Sequence, residues 1–254
     1  MDHVTLNRDH WNATAGDWVA AGERLWSAAA PLWGNWNLAE AELAILPDDM
    51  GGMAAIELGC GTGYVSGWMA RRGAQVTAID ISHAQLATAR KLAARNRAEI
   101  TFLEANAEDV PLPDGQFDFA ISEYGAAIWC DPKVWLREAW RLLRPGGRLV
   151  FLGSHPLLLV CTPMNGDVTD RRLHRPYRAM THNDYSDVEI EPGGVEFNLP
   201  IADWLRLFAE IGFAVDGYRE LFAPTPSDEI RAMTSGTWAH DYPSEQVWKL
   251  SKPV

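Results

Sequence analysis

The residues best suited to chemistry in this chain form a glycine-rich stretch, Glu57–Gly63, with the sequence ELGCGTG. The stretch follows a short apolar run and precedes a predicted helix. Glycines at such a turn let the backbone fold tightly and approach a ligand without an intervening Cβ. The free N–H groups at the start of the helix then face that ligand. Dinucleotide folds use G-x-G-x-x-G. Counted from Gly61, the third glycine of that pattern is replaced by Ser66, so the usual pyrophosphate cradle is not predicted.

Acidic residues follow the next two predicted strands. Asp80 lies 17 residues after Gly63, at the end of the second strand. A carboxylate there can accept hydrogen bonds from both ribose hydroxyls of a nucleoside. The alternative is a helix-capping or surface Asp, but the position after the glycine loop favours the ribose role. Glu104–Asp109 follows the third strand and could accept from an adenine amino group, although alone it is an ordinary acidic loop.

The elements that must position these residues alternate between strands and helices. Strands are predicted at 53–58, 75–80, 100–103, 117–122 and 148–153, and helices at 64–72, 83–95 and 132–143. This alternation predicts a parallel sheet with helices on both faces. A helix at 202–211 and strands at 213–218 and 246–250 follow. No crossover helix is evident before the final strand, so the last two strands are expected to pair as an antiparallel hairpin at the sheet edge.

The N-terminal region is rich in tryptophan. Five of the 12 Trp residues fall within the first 36 positions, and spacings of seven and eight place the first four near one helical face. Residues 8–45 are predicted to be helical, with interruptions near Gly22 and around Pro31 and Gly34. Such a stripe is typical of a helix packed on the core, and is compatible with a lid over a ligand cleft. We predict a Trp-rich helical cap at 1–47 and one domain at 48–254, with an insertion at about 156–200.

Composition excludes several classes of protein. A formal net charge of −12 argues against nucleic acid, whose phosphates need a basic groove. Three Cys without paired spacing predict neither a disulfide framework nor a metal site, and indicate reduced thiols in the cytoplasm. The most apolar stretch, Leu149–Thr162, is too short to span a membrane. The first residues lack the basic and apolar regions of a signal peptide.

Five motifs stand in the order found in one large family. They are 56–63 (IELGCGTG), 78–82 (AIDIS), 106–114 (NAEDVPLPD), 117–118 (FD) and 143–149 (LRPGGRL). The chain resembles the class I S-adenosylmethionine (SAM)-dependent methyltransferases, and within them the small-molecule branch related to ubiquinone- and menaquinone-type enzymes. The resemblance covers roughly 53–155, with weaker likeness at 202–218 and 246–252. It does not identify the acceptor.

The resemblance implies a Rossmann-like, seven-stranded, mostly parallel sheet and a site for SAM, with S-adenosylhomocysteine (SAH) as product. It also implies the cofactor-contacting residues. These are Glu57, Gly59, Cys60, Gly61 and Gly63 at the methionine part, Asp80 at the ribose, Ile81 and Ala107 at the adenine ring, Asn106 at its amino group with Glu108 in the same segment, and Glu123 with Tyr124 beside the methyl group.

Two departures from related patterns are informative. The family usually has Asp where this chain has Asn106, but Asn keeps an acceptor oxygen, so adenine binding is expected to survive with one charge fewer. After the fourth strand the chain has Ser122–Gly125 (SEYG) and not the Asn/Asp-Pro-Pro-aromatic motif. Amino-group methyltransferases of DNA and of protein glutamine carry that motif, so both are disfavoured.

Methyl transfer from a sulfonium mainly requires alignment of the acceptor and, for a hydroxyl, removal of a proton. His155, at the end of the fifth strand, and Glu123 are the candidate bases. A strand-end His bonded to a loop carbonyl is the alternative for His155. Four Arg within 171–178 could meet an anionic acceptor, or could belong to a solvated loop paired with nearby Asp residues.

The sequence therefore predicts a SAM-dependent methyltransferase acting on a small-molecule acceptor through O, N or C, without nucleic acid, a membrane span or a bound metal. Two alternatives keep the cofactor: a non-catalytic SAM-binding partner subunit, and an enzyme that uses SAM for another transfer. A nicotinamide-dependent dehydrogenase is disfavoured by the glycine spacing.

Overall fold

The computed structural model of the chain describes residues 2–188, 190 and 193–254. Met1 of the predicted cap and Glu189, Glu191 and Pro192 of the predicted insertion lie outside the described residues. The helices are α1 His3–Thr14, α2 Val19–Ser27, α3 Glu40–Leu43, α4 Tyr64–Arg71, α5 His83–Arg95, α6 Ala126–Trp129, α7 Pro132–Leu142, α8 Pro156–Cys161, α9 Ile201–Ile211 and α10 Gly236–Asp241. The strands are β1 Leu32–Trp33, β2 Leu38–Ala39, β3 Ala54–Leu58, β4 Gln75–Asp80, β5 Ile100–Glu104, β6 Phe117–Glu123, β7 Leu143–Ser154, β8 Asn183–Asp184, β9 Val195–Glu196, β10 Ala214–Leu221, β11 Ile230–Arg231, β12 Thr234–Ser235 and β13 Glu245–Ser251.

Seven strands form the central sheet, in the order β10-β13-β7-β6-β3-β4-β5. The strands from β7 to β5 run parallel, whereas β13 runs antiparallel to both β7 and β10. The predicted seven-stranded, mostly parallel sheet is confirmed, and so is the antiparallel pair at its edge. The last strand, β13, lies between β10 and β7. Glu245 at its start is therefore opposite Ser154, at the carboxyl end of β7.

Alternating side chains along the strands are buried against helices on both faces of the sheet. Ala55 of β3 belongs to the apolar cluster that includes Met69 of α4. The next residue, Ile56, belongs to the opposite cluster, with Trp135 of α7 and Phe208 of α9. Full burial of a large apolar side chain stabilises the fold by about 1.5–3 kcal/mol. Two buried faces fix the register of the strands, because a slip of one residue would move every side chain to the wrong face.

Local chemistry sets the ends of the helices. The α5 helix has the predicted bounds, and the hydroxyl of Ser82 accepts from the N–H of Gln85 at 3.1 Å as an N-cap. Pro132 begins α7, where its missing N–H leaves no helical bond unmade. Gly212 ends α9 with a left-handed φ of +107°.

The N-terminal segment, residues 2–47, differs from the prediction of a mainly helical 8–45. Its helices α1 and α2 are joined by a short 3₁₀ turn, and the chain then forms the antiparallel hairpin β1–β2. Pro31 cannot continue a helix, and Gly34 adopts a φ of +65° in the turn of the hairpin. The sequence marks both positions as interruptions, but not the strand between them.

The tryptophans of this segment do not share one helical face, so that prediction is wrong. Trp11 packs edge-on against Trp129, with ring centroids 5.0 Å apart. Trp26 is buried over α4. Trp33 lies in a strand, and its indole N–H donates to the buried carboxylate of Glu40 at 2.8 Å. The 3₁₀ turn and the hairpin change the chain direction, so a period measured along one helix does not apply.

The predicted insertion, 156–200, is packed onto the core. It contains α8 and the hairpin β8–β9, and Leu158, Val160 and Met180 are buried in the cluster on the α4 face. Asn198 fastens its end to the sheet, because its amide donates to the carbonyl of Ser154 at 2.8 Å.

None of the helices among the described residues is both long and apolar enough to cross a bilayer. The described His, Cys, Asp and Glu side chains form no group of three or more that could hold a metal ion. The three cysteines are free.

Candidate active site

The glycine loop joins β3 to α4 at the carboxyl edge of the sheet, where open α/β sheets bind ligands. Gly59 and Gly61 have φ values of +80° and +51°, in the region that favours glycine. A Cβ on Gly59 would lie 2.6 Å from the Cα of Gly125, so this glycine lets the loop touch the turn after β6. A Cβ on Gly61 would have no atom within 4 Å. The loop therefore borders open space at Gly61.

Glu57, near the end of β3, is a buried carboxyl beneath this loop. It accepts hydrogen bonds from the backbone N–H of Ser66, at 2.8 Å, and from the Ser66 hydroxyl. Ser66, which replaces the third glycine of a dinucleotide loop, thus anchors Glu57. Burial raises the pKa of Glu57 to about 8, the Ser66 bonds oppose the shift, and Glu123 adds to it. A buried carboxyl with carboxylate neighbours favours a positively charged ligand.

Asp80, the last residue of β4, ties two loops together. One carboxylate oxygen accepts from the N–H of Gly61 at 2.7 Å, and the other accepts from the N–H of Ser82 at 2.8 Å. Burial raises the pKa of Asp80, whereas these backbone bonds lower it. Asp80 and the next residue, Ile81, keep some accessible surface. The predicted loop residue Cys60 is buried, and its burial raises the thiol pKa well above the usual value.

The turn after β5 holds the residues predicted to meet adenine. The side-chain oxygen of Asn106 accepts from the N–H of Glu108 at 3.0 Å, and Ala107 between them is buried. The Glu108 carboxylate accepts from the N–H of Asp131 at 2.6 Å and lies 2.8 Å from the ring Nε2 of His3. Asn106 keeps one lone pair on its oxygen. Glu108 is already engaged by α1 and by the start of α7.

Glu123 and Tyr124 follow at the carboxyl end of β6. The Glu123 carboxylate accepts from the N–H of Gly34, in the β1–β2 turn, at 2.9 Å. Burial raises the pKa of Glu123 to about 8; the Gly34 bond lowers it and the Glu245 carboxyl raises it. Tyr124 has a φ of +52°, which is rare for an aromatic residue. Backbone strain of this kind concentrates at functional sites.

Sequence reasoning missed two side chains that meet Tyr124. Its hydroxyl donates to Glu245 at 2.7 Å and accepts from the side-chain N–H₂ of Asn35 at 2.9 Å. Glu245 is fully buried, and burial raises its pKa to about 7. One available signal was the predicted antiparallel last strand, since its first residue must lie at the carboxyl edge of β7. No comparable signal marks Asn35.

The N-terminal segment reaches the carboxyl ends of four neighbouring strands. The contacts, at 2.8 to 2.9 Å, are Trp26 Nε1 to the carbonyl of Thr62, Ser82 Oγ to Asn12 Oδ1, His3 Nε2 to Glu108 Oε1, and Gly34 N to Glu123 Oε1. The first three contacts reach the loops after β3, β4 and β5, and the fourth reaches the last residue of β6, so the segment lies across the carboxyl ends of these four strands.

His155 is drawn into the fold around it. It is the N-cap of α8, where its Nδ1 accepts from the N–H of Leu157 at 3.0 Å. Its Nε2 lies 3.2 Å from the Glu220 carboxylate on β10. Burial lowers the pKa of His155, and Glu220 opposes that shift. Both ring nitrogens therefore have partners, and the role of base stays a prediction.

The arginine run at 171–178 divides into buried and exposed members. Arg175 is buried and donates to the side chain of Asn183 and to the carbonyl of Thr162. Arg171 is exposed and pairs with Asp241 at 3.1 Å. Arg175 thus helps to hold the insertion, whereas Arg171 belongs to a surface ion pair.

A parallel sheet of this order, with a glycine loop after β3 and a carboxylate at the end of β4, has the architecture of the class I SAM-dependent methyltransferases. Residues 56–151 match the family model of the methyltransferase domain. The chain carries this domain, and the resemblance found in its motifs is confirmed.

Similar proteins include two curated enzymes. The chain is 39% identical over 114 residues to a malonyl-acyl-carrier-protein O-methyltransferase of Pectobacterium atrosepticum, covering 44% of this chain and 42% of the relative. It is 36% identical over 135 residues to a demethylmenaquinone methyltransferase of Thermus thermophilus, covering 52% and 59%. The chain thus spans about half the length of these relatives. A solved SAM-dependent methyltransferase of Mesorhizobium loti aligns with a TM-score of 0.65 at 26% identity, over 83% of this chain and 95% of that one.

Proposed function

We propose that this protein transfers the methyl group of SAM to a small-molecule acceptor and releases SAH. The observation that carries the proposal is the junction of Gly61 and Asp80. The carboxylate of Asp80 holds the loop N–H while the α-carbon of Gly61 borders open space. A nucleoside beside this glycine would meet a carboxylate for its ribose and a backbone with no Cβ in its way. The methyltransferase domain at 56–151 supports the same assignment.

We assign the cofactor contacts as the family resemblance implies. They are Glu57, Gly59, Cys60, Gly61 and Gly63 for the methionine part, Asp80 for the ribose, Ile81, Asn106, Ala107 and Glu108 for the adenine, and Glu123 beside the methyl group. These residues fit the ligand, because Glu57 is buried and Glu123 half-buried, and a cationic ligand would compensate the charge of both carboxylates.

Bound SAM would supply a methyl group activated by a positively charged sulfur. The tasks left to the protein are alignment, exclusion of water and, for a hydroxyl acceptor, removal of a proton. We infer that residues 2–47 serve as a cap that excludes water, since this segment contacts the carboxyl ends of four strands at the site. Glu123 is a candidate base, because its pKa of about 8 lies near neutral pH.

A small acceptor fits this covered site better than a polymer does. The cap lies over the loops through which a macromolecule would enter, and the net charge of −12 opposes binding of nucleic acid. The name of one curated relative states transfer to an oxygen of a malonyl group on a carrier protein, and the name of the other states a quinone as acceptor without naming the atom.

Calorimetry with SAM, SAH and NAD tests the proposal. We expect SAM and SAH to bind and NAD not to bind. Gly61→Val should abolish binding, because its side chain would enter the open space. Gly217→Val is the matched control, since Gly217 lies on the edge strand β10, where a Cβ would meet only Lys249 at 3.8 Å. Binding of NAD without SAM, or an unaffected Gly61→Val variant, would refute the assignment.

A further inference from the structure

The hydroxyl of Tyr124 donates one hydrogen bond and accepts another. Its hydroxyl gives its proton to the Glu245 carboxylate at 2.7 Å and receives one from the Asn35 amide at 2.9 Å. A phenolic oxygen has two lone pairs. Asn35 uses one of them, so one lone pair is left for another donor. The proton of Tyr124 already points at a group able to accept it.

The surroundings hold this arrangement in place. Glu245 is fully buried and also accepts from the backbone N–H of Asn35 at 2.9 Å. Tyr124 keeps accessible surface, and its left-handed backbone is fixed between β6 and the turn at Gly125. The Glu245 carboxylate is therefore sealed inside, and Tyr124, a partly accessible residue directly after β6, contacts it.

We propose that Tyr124 is a catalytic residue that takes the proton of a hydroxyl acceptor, with Glu245 and Asn35 as positioning residues. The proposal rests on the proposed function and names its acceptor class, a phenol or an alcohol. A carboxylate acceptor, which is already ionised, would have no use for such a relay.

The proton and electron balance is complete without a further reactant. The acceptor oxygen gives its proton to the oxygen of Tyr124, and Tyr124 gives its own proton to Glu245, which becomes a neutral acid. The acceptor oxygen forms a bond to the methyl carbon, while the carbon–sulfur bond breaks and leaves its electron pair on sulfur. Glu245 later returns the proton to solvent along the same path.

The charges around the pair suit this exchange. Burial raises the pKa of Glu245 to about 7, while the Tyr124 and Asn35 bonds and the charge of Arg231 oppose the shift. Glu245 therefore gains a proton readily near neutral pH. Burial, Glu245, Glu123 and Glu196 all raise the pKa of Tyr124 well above its usual value. Tyr124 thus stays neutral and relays a proton without storing charge.

The test uses 4-nitrophenol bound to the SAH-loaded protein, because the phenolate of this probe absorbs visible light and the phenol does not. At about pH 7, where Glu245 is still partly ionised, the parent protein should ionise a larger share of the bound probe than is ionised in free solution. Tyr124→Phe and Glu245→Gln should each leave bound probe neutral while SAH affinity stays at the parental value. With hydroquinone as methyl acceptor, Tyr124→Phe should slow transfer by about 10²–10⁴-fold, the usual effect of losing a positioned base.

Tyr218→Phe is the matched control, since the Tyr218 hydroxyl on β10 has no hydrogen-bond partner among the described residues. This variant should ionise the probe as the parent does. Parental ionisation by Tyr124→Phe, or failure of 4-nitrophenol to bind the SAH-loaded parent, would overturn the inference. Loss of ionisation in Glu123→Gln with retention in Tyr124→Phe would overturn it in favour of Glu123. Failure of SAH itself to bind would instead refute the proposed function.

Discussion

Substitution of Asp80 by Ala tests the cofactor site at its most connected residue. The carboxylate accepts from Gly61 at 2.7 Å and from Ser82 at 2.8 Å, and is proposed to accept from the ribose as well. A hydrogen bond to a charged group contributes about 1.5–3 kcal/mol, so loss of the ribose contact should weaken SAH binding roughly 10- to 150-fold. Two backbone N–H groups also lose their acceptor, at about 1–3 kcal/mol of stability each. Asp80→Asn keeps one acceptor oxygen and should lose less SAH affinity and less stability than Asp80→Ala.

Calorimetric titration with SAH and urea unfolding of the same samples separate these two effects. Asp118→Ala is the matched control, because Asp118 also accepts from a backbone N–H, that of Ala54 at 2.9 Å, but at the opposite end of the sheet. It should lower stability and leave SAH affinity at the parental value. Parental affinity in Asp80→Ala, or an equal loss in Asp118→Ala, would mean that Asp80 does not hold the ribose.

Three further predictions concern pH, the cap and His155. Glu57, Glu123 and Glu245 have pKa values raised to about 8, 8 and 7 in the folded protein, so their protonated forms favour folding. The contribution of these three groups to the stability of the ligand-free protein should be full below about pH 4.5 and be lost as the pH rises through about 7 to 8; urea midpoints that stay flat between these pH values would contradict this. Limited proteolysis within residues 2–47 should slow when SAH is added, and unchanged cleavage would reduce the segment to a scaffold. His155→Ala should cost about 1 kcal/mol of stability through loss of its helix cap, with SAH affinity and hydroquinone methylation nearly unchanged. A 10²–10⁴-fold loss of turnover with normal unfolding would instead establish His155 as the base.

The central sheet could be predicted because its signals are local. Ser82 caps α5, Pro132 starts α7 and Gly212 ends α9, each through the chemistry of its own residue type. The apolar runs between such boundaries are strands, and the family resemblance implies seven of them, with the last two as a hairpin. The β1–β2 hairpin could not be predicted in this way. The spacing of Trp26 and Trp33 fits a helix, and tertiary contacts, such as that of Trp33 with Glu40, decide against it.

The residues of the candidate site likewise differ in whether the sequence could predict them. Glu57, Asp80 and Glu123 could be named because each stands at the end of a parallel strand, and those ends share one edge of the sheet. Asn35 could not, since its partner Tyr124 is 89 positions away. For Glu245 the antiparallel last strand was a signal of its place at the sheet edge, but its contact with Tyr124, 121 positions away, could not be predicted. The short-range pattern around His155 suggested a base, whereas the residues that occupy its nitrogens include Glu220, on another strand.

The position of β13 has a consequence for the synthesis of this protein. The acceptor end of the site joins Asn35 to Glu245 across 210 positions, and β13 must slide between β10 and β7 to bring Glu245 there. A nascent chain that has not yet left the ribosome beyond residue 244 already contains the glycine loop and Asp80, but the β7 edge still lacks its neighbour. Such a chain can place the glycine loop beside Asp80 while Glu245 is still missing, and its open edge can pair with another chain. Contacts this distant in sequence also form slowly. We expect the cell to meet its greatest risk of misassembly in this last step, after most of the sheet has folded.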